Sequence, residues 1–259
     1  MLDFFTAEEL VENYDKFRKL INKTFEGDRL ESLNKMYDHF EERMIYTPAS
    51  SVEHYHNAFP GGYIDHVLRV TRNALKVYDL YSELGGVGDY SRESLIFTAL
   101  HHDLGKLGTP EMDYYVKNDS EWHVKNQGKI YKTNSDIHWM NLNDRTFYLL
   151  NYFGIQCTQE EWIGIKLTDG LYDENNKEYF IKYNKDDALK TSLPFVMHTA
   201  DLFAARFENE RWLKEMNPVK STRKVSTGRP AKGNLTETFA NNDVKPASVF
   251  DAFKGIIED

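Results

Sequence analysis

The chain of 259 residues is long enough to bury one sizeable hydrophobic core, and its 41% hydrophobic and 14% aromatic content excludes wholesale disorder. A net charge of −9 argues against a general binder of nucleic acid or anionic membranes, although a local basic patch could override it. Cys157 is the only cysteine, so no intrachain disulfide can form. With no signal peptide and no long apolar run either, we expect a cytoplasmic protein outside the membrane.

Two helices are predicted at the N-terminus. Apolar residues recur at helical spacing over residues 7–24 and again over 28–46. Thr6 followed by Glu9 has the spacing of a capping box, in which each residue satisfies a backbone amide of the other. We expect residues 1–46 to form a helical extension that packs on the core.

The next two predicted helices carry polar residues where packing alone would not place them. A helix over about 63–83 has His66 on the edge of its apolar stripe, so the ring can face the interior. A helix over about 91–103 ends in His102 and Asp103. Because an unpaired buried carboxylate is costly, this ending indicates a function rather than core packing.

The middle of the chain is less regular. Residues 113–136 are polar and aromatic, and Trp122-His123-Val124 with Lys129-Ile130-Tyr131 predict a short hairpin or an ordered loop. Helical patterns resume over about 138–152 and 158–168, and a long helix over about 186–215 follows. The predicted fold class is therefore all-α.

The C-terminal segment differs in composition from the rest. Residues 217–233 contain five basic side chains and no acidic one, and residues 246–257 end in a short amphipathic pattern. We expect residues 217–259 to form a flexible basic tail. Two readings stay open for the basic stretch, a solvated surface segment and a contact with nucleic acid or another phosphate-rich partner.

Three segments resemble one known superfamily. The segment from Tyr55 to His66 resembles the start of the HD domain of certain bacterial 3′–5′ exoribonucleases. The segment Ala99–Lys106 reads ALHHDLGK, and Met197–Asp201 reads MHTAD. Together they resemble the H…HD…D motif of the HD-domain metal-dependent phosphohydrolases, which are all-α helical bundles. The resemblance implies an HD phosphohydrolase domain over residues 47–216.

The resemblance implies one divalent metal ion per chain, held by His66, His102, Asp103 and Asp201. Two imidazoles and two carboxylates suit Mn²⁺, Co²⁺, Ni²⁺, Fe²⁺ or Zn²⁺ better than Ca²⁺, and Mg²⁺ is also admitted. Such an ion lowers the pKa of a bound water and polarises a phosphate oxygen.

Three further residues are candidates for catalysis. Lys106 follows the His-Asp pair closely and could bind a substrate phosphate, although a surface lysine at a helix C-terminus would look the same. His56 could donate to a phosphate oxygen. Asp169 could transfer protons, or it could be an ordinary turn residue before a glycine.

Three other histidines could support the metal or bind another. His198 precedes Asp201 by one helical turn and could orient it. His123 and His138 are available by count for a second metal, as in superfamily phosphodiesterases. However, this chain reads Thr168-Asp169-Gly170 where the similar exoribonucleases have His-His-Gly, which favours a single ion.

The preferred function is a 5′-nucleotidase that releases phosphate from (deoxy)nucleoside monophosphates. The alternatives are a dNTP triphosphohydrolase, then a cyclic-nucleotide phosphodiesterase or a 3′–5′ exonuclease, and last a catalytically inactive HD binding module. The expected partner is a small nucleotide. Homo-oligomerisation stays open.

Overall fold

The computed structural model describes residues 5–215, so the predicted tail over residues 217–259 lies outside the described residues. Within that range the chain is predominantly helical, which confirms the all-α prediction. A two-stranded sheet, β1 (Tyr115–Lys117) and β2 (Tyr131–Thr133), is the one sheet of the described range. The helices are α1 (Ala7–Thr24), α2 (Gly27–Tyr46), α3 (Gly62–Glu83), α4 (Arg92–His101), α5 (Glu121–Gln127), α6 (Leu142–Tyr152), α7 (Gln159–Lys166), α8 (Lys177–Phe180) and α9 (Leu193–Glu215).

The N-terminal helices follow their sequence patterns. The Thr6 hydroxyl accepts a hydrogen bond from the backbone of Glu9, and the Glu9 carboxylate accepts one from the backbone of Thr6. This capping box starts α1 at the predicted position. The apolar faces of α1 and α2 are buried and pack on each other and on α3.

Helix α3 is central to the packing because it contacts α1, α2, α4 and α9. Its apolar stripe is buried along the first three turns, as the periodicity predicts. The helix begins where the backbone passes very close to Asn57. A Cβ atom at Gly62 would lie 2.0 Å from the Asn57 carbonyl oxygen, so only glycine fits there.

The segment between residues 113 and 136 differs from its prediction. The two strands pair antiparallel, with Val116 opposite Lys132, so a small sheet is present. However, Trp122-His123-Val124 lies in α5 and not in a strand. The reason is local, because Ser120 caps this helix and Gly128 ends it in a left-handed conformation.

Three helices begin or end at other residues than predicted. Helix α4 ends at His101, and His102 is followed by a 3₁₀ turn over Leu104–Leu107. Helix α6 begins at Leu142 rather than near residue 138. Helix α9 begins at Leu193 rather than near 186, with Pro194 in its first turn, where proline is best tolerated.

The buried side chains form two adjoining groups. The larger lies among α1 to α4, α6 and α7, and the smaller lies among α3, α4 and α9. Helix α9 thus packs directly on the two helices that carry the predicted histidine ligands. Within residues 5–215, no helix combines the length and the apolar character needed to cross a bilayer.

Candidate metal centre

Four predicted ligands meet where three helices pack together. His66 lies in the first turns of α3, His102 and Asp103 directly follow α4, and Asp201 lies in α9. Each of these helices packs on the other two. The convergence is therefore a product of tertiary packing, since the ligands are far apart in sequence.

The ligand atoms lie close together. The Nε2 atoms of His66 and His102 are 3.4 Å apart, and the Asp103 Oδ2 atom is 3.5 Å from each of them. These three residues form a group that could hold a metal ion. The Asp201 Oδ1 atom adds a second carboxylate, at 3.2 Å from the Nε2 atom of His66 and 3.7 Å from that of His102.

Hydrogen bonds of the Nδ1 atoms orient both imidazole rings. The Nδ1 atom of His102 is 2.8 Å from the Ala99 carbonyl oxygen, which can only accept, so Nδ1 must donate. The Nδ1 atom of His66 is 3.0 and 3.2 Å from the two carboxylate oxygens of Glu208. When either ring is neutral, its lone pair is therefore on Nε2, and both Nε2 atoms face the carboxylates.

The electrostatic environment of the predicted ligands favours a positive charge among them. Burial opposes the charged form of every group here, yet the carboxylates of Glu208 and Asp201 raise the pKa of His66 to about 10. Burial also acts against the charge on Asp103, but Lys106 and His102 hold the pKa of that carboxyl well below its usual range. The Asp201 pKa is lowered too, against burial, by its hydrogen bond to His66.

The donor set fits a divalent cation. Two ligands at about 2.1 Å from one ion are roughly 3.0 Å apart at neighbouring corners of an octahedron and roughly 3.4 Å apart in a tetrahedron. The five separations between these ligand atoms, from 3.2 to 3.7 Å, are close to these values. A bound cation would replace the His66 proton that otherwise pairs with these carboxylates.

Lys106 is buried at this site rather than exposed on the surface. Its residue is only 7% exposed, and its Nζ atom is 2.6 Å from Asp103 Oδ2. Burial opposes the ammonium charge, but Asp103 outweighs it and raises the Lys106 pKa. The surface-lysine reading is therefore wrong, and Lys106 is a fixed positive charge beside a predicted ligand.

His56 lies against the first ligand. Its ring centroid is 4.9 Å from that of His66, with the planes inclined by 35°. Burial, together with the positive charges of Lys106 and His66, lowers the pKa of His56 to about 3. The ring is therefore neutral at physiological pH and can donate one hydrogen bond while accepting another.

Asp169 lies on a turn that is hydrogen-bonded to α9 through His198. Desolvation and the negative charges of Asp103 and Asp201 raise the pKa of Asp169. The His198 Nδ1 atom donates to the Thr168 carbonyl at 2.8 Å. His198 therefore supports the turn that carries Asp169, whereas its predicted role toward Asp201 stays a prediction.

The two histidines proposed for a second metal lie elsewhere. His123 is exposed on α5, where its Nδ1 atom is 2.7 Å from the Ser120 hydroxyl. His138 is exposed in the loop before α6. Among the described residues, the group of possible metal ligands includes neither ring.

Sequence reasoning missed the support behind His66. Glu208 is 1% exposed, and besides His66 it accepts from the Nε atom of Arg69 at 3.1 Å. Arg69 also donates to Asp65, and so does Arg211 near the end of α9. A signal existed, because Glu208 lies two helical turns after Asp201 on the same face, and Arg69 lies one turn after His66.

No family model, no characterised protein and no solved structure matches this chain. We therefore infer its function from the geometry of its own residues. That geometry is a His-His-Asp group able to hold a metal ion, with a second carboxylate, a buried lysine and a neutral histidine next to it.

Proposed function

We propose that this chain is an HD-type phosphohydrolase that depends on one divalent metal ion and releases phosphate from (deoxy)nucleoside monophosphates. The observation that carries the proposal is the convergence of two imidazole Nε2 atoms with two carboxylates, each of which has an oxygen within 3.7 Å of both Nε2 atoms. Two imidazoles and two carboxylates directed at one point are a donor set typical of transition-metal sites, and the hydrogen bonds to both Nδ1 atoms are typical of ligating histidines.

The ligands have separate tasks in this proposal. His66, His102, Asp103 and Asp201 hold the cation, and Glu208 and the Ala99 carbonyl keep the imidazole lone pairs directed inward. When bound, the cation lowers the pKa of a coordinated water and polarises a phosphoryl oxygen. The Lys106 ammonium lies 2.6 Å from the Asp103 carboxylate, which places its charge beside the cation.

The neighbouring residues act on the substrate. Lys106 supplies a fixed positive charge toward the phosphoryl oxygens, where negative charge grows in the transition state. His56 is neutral and donates a hydrogen bond to one of these oxygens. Asp169 holds its proton more tightly than an ordinary aspartate and delivers it to the leaving ester oxygen.

The test combines metal content with a substrate screen. The purified chain is analysed for bound metal and then assayed for phosphate release from nucleoside mono-, di- and triphosphates and cyclic nucleotides with Mn²⁺, Co²⁺ or Mg²⁺. We expect one metal ion per chain and hydrolysis of monophosphates. The Asp103→Ala variant should lose both, and Asp136→Ala, at an exposed aspartate in the loop before α6, is the matched control.

Each outcome of this test supports or refutes a different function of the chain. Metal binding without hydrolysis would support a binding module instead of an enzyme. A chain that binds no divalent metal would refute the proposal, and so would full phosphatase activity in a folded Asp103→Ala variant. Preferential hydrolysis of triphosphates or of cyclic nucleotides would keep the metal centre and reject the nucleotidase.

A further inference from the structure

A cleft with a volume of about 640 Å³ lies next to the candidate metal centre. The two adjoin at Gly105, which lies two residues after the predicted ligand Asp103, because a Cβ atom there would be 2.2 Å from the carbonyl oxygen of Leu142 in the cleft lining. Asp169 also lines the cleft. The volume is within the range of small-molecule sites. A molecule with its phosphate at the metal centre could therefore extend past Asp169 into this cleft.

Two aromatic rings in the cleft are unusually open to solvent. Trp139 is 86% exposed and Tyr172 is 73% exposed, and both line the cleft. They come from different segments, the loop before α6 and the 3₁₀ turn directly after Asp169. Exposing rings of this size is unfavourable in water, and ring faces of this kind are what nucleobases stack on.

The polar lining suits a neutral, hydrogen-bonding group. Asn141, Asn143 and Asn175 line the cleft, and side-chain amides carry both donors and acceptors, as base edges and sugar hydroxyls do. Apart from Asp169, the charged lining consists of two carboxylates, Asp173 and Glu174, against one lysine, Lys166. This excess of negative charge disfavours a polyphosphate in the cleft.

We propose that this cleft binds the nucleoside part of a nucleoside monophosphate, with the base stacked on Trp139 or Tyr172 and the phosphate directed past Asp169 to the metal centre. The inference rests on the proposed function and specifies its substrate class. It selects nucleoside monophosphates over small phosphate esters that lack a base, and over nucleoside triphosphates.

The experiment compares substrates rather than absolute rates. For the full chain with Mn²⁺, kcat/KM is measured for a panel of common nucleoside monophosphates and for glycerol 2-phosphate, which has no ring to stack. For each nucleotide, its kcat/KM is divided by that for glycerol 2-phosphate. We expect Trp139→Leu or Tyr172→Leu to lower this ratio about tenfold for the preferred nucleotide, the usual loss for one base–aromatic contact. Trp122→Leu is the matched control, because Trp122 is 60% exposed but lies outside the cleft lining.

The outcomes distinguish failure of the nucleoside-binding inference from failure of the phosphohydrolase proposal. If the wild-type chain hydrolyses glycerol 2-phosphate as well as any nucleotide, or if neither cleft variant changes the ratio, the inference is overturned while the phosphohydrolase proposal survives. If the wild-type chain hydrolyses no phosphate ester, the proposed function fails. Equilibrium dialysis with the free nucleosides then tests the cleft: binding weakened by Trp139→Leu supports it, and no binding overturns it.

Discussion

Replacing Glu208 by glutamine should weaken metal binding without touching a ligand. The Glu208 carboxylate accepts from His66 Nδ1 at 3.0 Å and from Arg69 Nε at 3.1 Å, in a fully enclosed position. Glutamine has nearly the same shape and can still accept one of these bonds. It cannot supply the negative charge that makes the His66 Nε2 atom a stronger electron-pair donor to a cation.

The expected loss is 10- to 100-fold in metal affinity, or about 1.4–2.7 kcal/mol, as is typical when the carboxylate behind a ligating histidine is removed. The cation-free protein should lose about 1–3 kcal/mol of stability, because two charge-assisted hydrogen bonds weaken. Arg69 keeps its bond to Asp65, which limits the loss. Titration calorimetry with Mn²⁺ and Zn²⁺ measures the affinity, and thermal unfolding in a chelator measures the stability.

The control is Glu210→Gln, which removes the same charge from an exposed position on the same helix. It should change the metal Kd by less than about twofold, because exposed charges are screened. A Glu208→Gln variant that folds normally and binds metal as tightly as the wild type would refute the assignment. In that case the buried carboxylate would serve only the packing of α9 on α3.

Four other changes have distinct expected results. Lys106→Met should lower turnover by roughly one to three orders of magnitude while elemental analysis shows unchanged metal content, as expected for loss of one charge-stabilising donor. Asp169→Asn should lower turnover and flatten the pH–rate profile with metal content intact, and lost metal would instead identify a ligand. Gly170→Ala should raise the activation free energy derived from kcat by more than it lowers the free energy of unfolding. Gly170 has a φ of 56°, and an added Cβ would lie 2.4 Å from the His198 ring. Removal of residues 217–259 should leave metal affinity unchanged, because all proposed ligands precede them.

Local signals predicted much of the fold. The capping box at Thr6 places two partners three residues apart, so the start of α1 could be predicted from the chain alone. Thr158 and Glu161 form a second capping box at the start of α7. The segment around Trp122 was misread because a helix of seven residues is too short to show a clear period. The start of α9 was placed too early, although Pro194 marks it.

The candidate site was predictable only in part. The ligand candidates His66 and His102 stood out because imidazoles followed or flanked apolar helix faces. Glu208 did not stand out, since a glutamate on a long charged helix is usually solvated. Its burial depends on how α9 lies against α3, and that register is decided by long-range packing rather than by local pattern.

The position of the ligands along the chain has a consequence for how the protein is made. The last proposed ligand, Asp201, and the glutamate that supports His66 are on α9, the last described helix, whereas His66 itself is on α3. During synthesis the centre cannot be completed until α9 has left the ribosome and docked on α3 and α4, a contact between distant parts of the chain that forms late. Tight metal uptake should therefore mark the end of folding, and a nascent chain halted before α9 should bind the cation only weakly.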